Sequence, residues 1–226
     1  VGYKGIENIA AYEKVTYGII ALTLFFIGFF TNPNGLSFHR FYRKQLADLF
    51  LRYSGEYKNM PLMKVFDAES NELKDYISPY PLYNTCLNLM NPQKDEAFQG
   101  TKTSDYFLLS PFHCGSKLVG YVPTDRYFDY KNMTLPAAVA ISAAAVNPGM
   151  GMYSSKLLSL LVTLFNFRLG FWISNPRILI KARAFVWWPL YFFYELLGRI
   201  GSGKKMINIS DGGHIENLGA YELLRR

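Results

Sequence analysis

The segment Met206-Ile-Asn-Ile-Ser-Asp211-Gly-Gly constrains the fold more than any other, because apolar residues alternate with polar ones until two glycines stop the pattern. Alternation with period two marks a strand, and a glycine pair permits a turn too tight for side chains. A buried strand over Met206–Ser210 is therefore expected, with Asp211 at its carboxyl edge and a helix behind it from about Glu216. Open α/β sheets bind ligands at that edge. The chain contains no Gly-x-Ser-x-Gly elbow in its 226 residues, so a hydrolytic site here would have its acid without its nucleophile. Val1 at one end and Glu222-Leu-Leu-Arg-Arg226 at the other read as cuts, and a fragment is expected.

Half of the residues are apolar, enough for a core. Aromatic residues reach 17%, a density that suits either a core or a membrane interface. The net charge of +7 is localised: residues 151–205 hold eight basic side chains (Lys156, Arg168, Arg177, Lys181, Arg183, Arg199, Lys204, Lys205) against Glu195 alone, and the rest of the chain is neutral. The same segment includes Leu157 to Phe167 and Ala184 to Leu197, both strongly apolar. Basic residues among aromatic and aliphatic ones suit an anionic membrane surface, at about 1 kcal/mol for each Lys or Arg near it. A buried helical pair with solvated basic ends has the same composition. Nucleic acid is disfavoured, since the charges are scattered through apolar runs rather than set on a polar face. Cys86 and Cys114 do not form a metal-ligand pattern with each other or with His39, His113 and His214, His113 and Cys114 being merely adjacent, so buried reduced thiols are expected.

Val15 to Phe30 is sixteen residues without a charge, roughly 24 Å of helix at about 1.5 Å per residue. A bilayer core is about 30 Å thick, so this run sits at the limit for a span. Asn32-Pro-Asn-Gly35 breaks it, and Ser37 is placed to cap a basic amphipathic helix running to Phe50. From Leu62 to Tyr130, short segments between Pro, Gly and Asn read as strands with substantial loops. Leu135 to Gly151 reads as a small-residue helix stopped by Pro148-Gly149, packed where another backbone comes close.

Ala138-Val-Ala-Ile-Ser-Ala-Ala-Ala-Val-Asn-Pro148 resembles the Ala-Ser-x-Ala-x-Pro block of the patatin-like phospholipases, and Asp211-Gly-Gly with Asn217 resembles that family's catalytic turn. Ser37-Phe-His-Arg-Phe-Tyr-Arg, Tyr80-Pro-Leu-Tyr-Asn-Thr and Thr163-Leu-Phe-Asn-Phe-Arg-Leu-Gly are similar to a large membrane-associated bacterial branch, so the likeness runs from about residue 35 to 226. The resemblance implies an α/β fold, a three-layer α/β/α patatin-like arrangement, incomplete and with hydrophobic helical insertions. Residues 1–36 would form an apolar helix, at the limit of membrane-spanning length, and a linker, and residues 37–226 a partial catalytic domain with a basic-aromatic insertion at 151–205.

The implied activity is hydrolysis of lipid acyl esters, of phospholipase A or lysophospholipase type, by a Ser-Asp dyad. Asp211 is the implied dyad acid, Gly212 and Gly213 form the active-site turn, and Asn217 supports it. The serine and a Gly-rich oxyanion loop would precede Val1. Neither cofactor nor metal is implied. The implied partners are a lipid or phospholipid substrate and a membrane surface, at the bacterial inner membrane or its cytoplasmic face.

A plainer reading of Asp211 is a turn residue capping the helix near Glu216; the order of the other blocks favours catalysis. A non-catalytic membrane scaffold that keeps the fold is the alternative function. Ser142 lacks flanking glycines and reads as helix packing, and His214 as a hydrogen-bonding surface residue. Gly198 to Lys205 has Gly-x4-Gly-Lys spacing, but Lys205 replaces the magnesium-binding Ser or Thr, and the helix-loop-strand order is the reverse of a phosphate loop.

Overall fold

The computed structural model describes residues 2–51, 60–65, 80–90, 104–127, 133–150, 155–178 and 187–225, with side chains from Tyr12 onward. The first helix, α1 (Gly2–Phe30), has 29 residues and extends well beyond the apolar run. Asn32 caps a single-turn helix, α2 (Pro33–Leu36), by accepting the Asn34 N–H, with proline at a position that needs no donor. Helix α3 (His39–Phe50) follows. Ser37 does not cap it: Phe38 already has helical dihedrals, and the Ser37 hydroxyl donates to the Asn34 carbonyl at 3.3 Å.

Six strands form one sheet: β1 (Tyr83–Asn88), β2 (Ser104–Leu109), β3 (His113–Ser116), β4 (Gly120–Pro123), β5 (Phe171–Ser174) and β6 (Met206–Asp211). Their order is β4-β3-β2-β1-β6-β5, and every neighbouring pair is antiparallel. The fold is mixed α/β. Residues 151–205, expected as an insertion, contribute β5, which is buried throughout and pairs with β6 from Phe171↔Ile209 to Ser174↔Met206.

Alternation sorts the β6 side chains onto two faces. Ile207 and Ile209 join Leu87, Phe107, Phe171 and Ile173 in the main core, beneath Ala137, Ala138 and Ile141 of helix α4 (Leu135–Ser142). On the opposite face Met206 and Trp172 pack with Tyr191 and Trp188 of helix α6 (Trp188–Leu196). Helix α5 (Lys156–Leu164) packs on α6. Both cysteines are free and buried, and burial raises both thiols, that of Cys86 to about 12.

The free edge of β5 is closed by a side chain. The Asn34 amide donates to the Trp172 carbonyl at 2.7 Å and accepts the Trp172 N–H at 2.8 Å, so one residue stands in for a missing strand. Nearby, Arg168 and Glu195 form a buried ion pair, Trp172 Nε1 donates to Glu195 Oε1 at 2.6 Å, and Arg168 also reaches the Pro33 carbonyl at 3.3 Å. Arg168 therefore belongs to the interior and adds nothing to a charged surface. Burial pushes the Glu195 carboxyl up, against the opposing pull of Arg168 and the indole N–H.

Helix α4 ends at Ser142 rather than continuing to Pro148. The next four carbonyls serve other elements. Ala143 accepts from the Tyr42 hydroxyl at 2.7 Å, Ala144 from the Asp211 N–H at 3.3 Å, Ala145 from His214 Nε2 at 3.0 Å, and Val146 from the Leu169 N–H at 2.7 Å. Long-range donors thus take acceptors that a longer helix would use internally. The segment also changes sides of the sheet, since Ile141 lies with Ile207 while Asn147 bonds Asn208 on the other face.

Candidate active site

Asp211 ends β6 opposite Thr85 of β1, and it is half-buried. Its backbone N–H reaches Ala144, which brings the small-residue block against the turn through the backbone spacing that alanine side chains allow. Asp211 Oδ1 accepts the Gly213 N–H at 2.8 Å, and among the described residues Oδ2 accepts no hydrogen bond. The carboxylate is therefore held by the turn through one oxygen. Residues 212–214 form a single 3-10 turn, and the helix expected near Glu216 begins only at Tyr221, as α7 (Tyr221–Leu224). Glu216 occupies the gap, its carboxylate accepting the N–H groups of Leu218 at 2.6 Å and Tyr221 at 3.2 Å.

The two glycines of the turn differ in what crowds them, backbone at Gly212 and a movable side chain at Gly213. A Cβ on Gly212 would lie 2.6 Å from the Asn84 carbonyl oxygen and 2.9 Å from its carbon, a backbone that cannot swing aside. A Cβ on Gly213 would lie 2.9 Å from Asn217 Oδ1, so exposed Asn217 is folded back over the turn. Gly212→Ala is expected to destabilise the protein by about 1–3 kcal/mol, the usual cost of overpacking. Gly35→Ala, where a Cβ would meet nothing within 4 Å, is the control. Denaturant midpoints of the two variants check this, and equal midpoints would contradict the crowding.

Three neighbours of Asp211 escaped the sequence reading. Tyr42 of α3 has its hydroxyl pKa raised, first by burial and then by the Asp211 charge, which places the phenol within that carboxylate's field. Asn84 supplies the carbonyl that crowds Gly212 and accepts the Ser142 hydroxyl at 2.7 Å. Ser142 is thus committed to packing. The third neighbour is a buried polar ladder on the β6 face away from the main core. Asn88 Nδ2 donates to Asn208 Oδ1 at 2.8 Å and to Ser210 Oγ at 3.0 Å, and Asn147 Nδ2 donates to Asn208 Oδ1 at 2.7 Å.

His214 completes the ladder. Because the Ala145 carbonyl can only accept, His214 Nε2 donates to it, and in the neutral ring Nδ1 then accepts the Ser210 hydroxyl at 3.1 Å. His214 is hydrogen-bonded, as expected, and half-buried, and it ties the glycine turn to both the strand and the 143–146 segment. Asn147 Oδ1 and Asn208 Nδ2 are buried without hydrogen-bond partners among the described residues. The sequence signal for this ladder is the polar alternation Asn208, Ser210 within β6 together with Asn147 in the small-residue block.

A cavity of about 550 Å³ lies at the same end of the sheet, lined by Tyr80, Ser110, Phe112, His113, Tyr121 and Arg225. Asp211 is not among its walls. The Arg225 guanidinium there is engaged by Glu222 at 2.7 Å and by the Tyr121 hydroxyl at 3.2 Å. Among the described residues, no group of three or more His, Cys, Asp or Glu side chains is arranged to hold a metal ion. Comparison of the chain with protein-family models, with curated proteins and with solved structures finds no match.

Proposed function

We propose that the chain carries the acid half of a Ser-Asp dyad lipid acyl hydrolase with a patatin-like three-layer α/β/α arrangement. One observation supports this most: Asp211 stands at the carboxyl end of a buried strand, on a glycine turn, with the Ala144 carbonyl bonded to it and the Ala145 carbonyl bonded to His214. That is the company the family resemblance assigns to its catalytic aspartate. On this reading a serine from residues preceding Val1 attacks the acyl carbonyl carbon, and Asp211 takes the hydroxyl proton through Oδ2. The tetrahedral oxyanion collapses to an acyl-enzyme as the ester C–O bond breaks, and the leaving lipid alcohol takes the proton from Asp211; water then gives a proton to Asp211 as it attacks the acyl carbon, and the serine recovers that proton as the fatty acid leaves. Oδ1, held by Gly213, keeps the carboxylate in one orientation while this happens.

The second reading is a non-catalytic scaffold, favoured by the same Oδ1 contact, which is what a turn-capping aspartate makes, and by the separation of Asp211 from the aromatic cavity. A fluorophosphonate probe for activated serines separates them. Under the hydrolase reading it labels the full-length protein at a serine outside this chain, and leaves the 226-residue chain unlabelled. A full-length protein that takes no label and cleaves no acyl ester would establish the scaffold instead.

A further inference from the structure

Tyr12–Phe30 of α1 is long and apolar enough to cross a bilayer, and only 6% of it is buried against the protein. A core helix of a soluble domain would be covered. At its carboxyl end α1 is fastened to the domain rather than hinged from it. Trp187 Nε1 donates to the Phe25 carbonyl at 2.9 Å, the Trp187 and Phe25 rings lie 5.5 Å apart, and the indole sits where Gly28 leaves no side chain. Asn34 locks the following turn to β5, and Asn166 Nδ2 donates to the Leu36 carbonyl at 2.8 Å.

Around that fastening the domain exposes further apolar side chains. Leu157, Leu160, Leu161 and Leu164 of α5 point outward, as do Phe192 and Phe193 of α6. Phe165 and Phe167 stack at 6.2 Å, Phe167 meets Phe38 at 6.4 Å, and Phe38 meets Phe41 at 5.2 Å, all four exposed. The ring cluster therefore begins at Phe38, just after the single-turn helix α2 that follows α1. Exposed Arg40 and Lys44 lie beside Phe41 on α3, and exposed Lys156 opens α5.

We propose that α1 and this collar form one seat on a lipid bilayer carrying anionic headgroups, α1 crossing it while α5, α6 and the four phenylalanines lie in the interfacial layer. Aromatic side chains favour that layer, and cations beside them meet lipid phosphates. Continuity with a helix of spanning length, together with the basic residues at the rim, selects a bilayer over a second copy of the chain. The fixed joint gives the domain a single orientation on the membrane. This inference does not depend on Asp211 being catalytic.

The test uses the whole 226-residue chain reconstituted in phosphatidylcholine–phosphatidylglycerol vesicles, with an environment-sensitive fluorophore on Leu161→Cys, Phe165→Cys or Lys117→Cys. The native cysteines are buried, and all three sites are exposed, so the substitutions leave the core intact. Lys117 joins β3 to β4, at the sheet edge opposite β5. Headgroup-level spin-labelled lipid is expected to quench the probes at 161 and 165 several-fold more than the probe at 117. Equal, weak quenching at all three overturns the seat. Probes at 161 and 165 that are shielded from water, unquenched by lipid and crosslinked between chains assign the collar to a second copy and also overturn it. The readout is lipid proximity, so loss of ester hydrolysis in the same protein bears only on the catalytic reading.

Discussion

Asp211→Asn in the full-length protein is expected to lower hydrolysis of a short-chain acyl ester by about 100-fold to 10,000-fold, the usual contribution of a general base. The substitution is nearly isosteric. Its retained Oδ1 can still accept the Gly213 N–H at the 2.8 Å seen for the carboxylate, so the turn and the fold should survive. What disappears is the proton acceptor at the second position. A denaturation midpoint matching the parent protein, measured alongside turnover, ties the loss to chemistry. Unchanged turnover in a folded variant would reduce Asp211 to the turn residue that its Oδ1 contact already makes it.

Arg168→Met should cost about 3–5 kcal/mol of stability, because it leaves Glu195 buried without its counter-charge. Glu195 is fully buried, and the remaining Trp172 N–H cannot replace a guanidinium. The pH dependence follows from the direction of the shift. With Arg168 gone, only the Trp172 N–H opposes burial, the largest influence on Glu195, so its folded pKa stays above the ordinary value of 4.5. The native state then binds a proton that the unfolded chain has released, so stability declines as pH rises from the ordinary carboxylate pKa up to the raised folded one. The deficit relative to the parent should be smallest in mild acid and grow towards neutrality. Arg168→Met combined with Glu195→Gln removes both charges while keeping an acceptor for Trp172, and should recover most of the loss. Urea midpoints across a pH series measure all three proteins; a single variant as stable as the double one would show the pair to be dispensable.

The sequence made local features legible and left their company obscure. Strand β6 could be read because alternation and a glycine stop are properties of neighbouring residues, and the strands between Leu62 and Tyr130 for the same reason. The end of α4 could not: Ala143 to Val146 have good helical character, and only donors from Tyr42, Asp211, His214 and Leu169 draw their carbonyls away. Ser37 looked like a cap by type and spacing, yet the chain enters α3 already helical at Phe38. Arg168 counted as surface charge until burial beside Glu195 placed it inside. Asp211 and its glycines could be found from the motif, whereas Tyr42 and Asn84 reach the site from distant positions that no short pattern connects.

The four carbonyls after α4 also set what evolution can change here. Each is read by a different part of the molecule: a helix, a strand end, the glycine turn and the segment entering β5. Since the donors bind backbone oxygens, residues 143–146 are free to exchange small side chains without breaking those bonds. One residue added or removed would put every donor opposite the wrong carbonyl at once, and would turn Asn147 away from Asn208. The segment is therefore tolerant of substitution and intolerant of a change in length, the opposite of an ordinary surface loop.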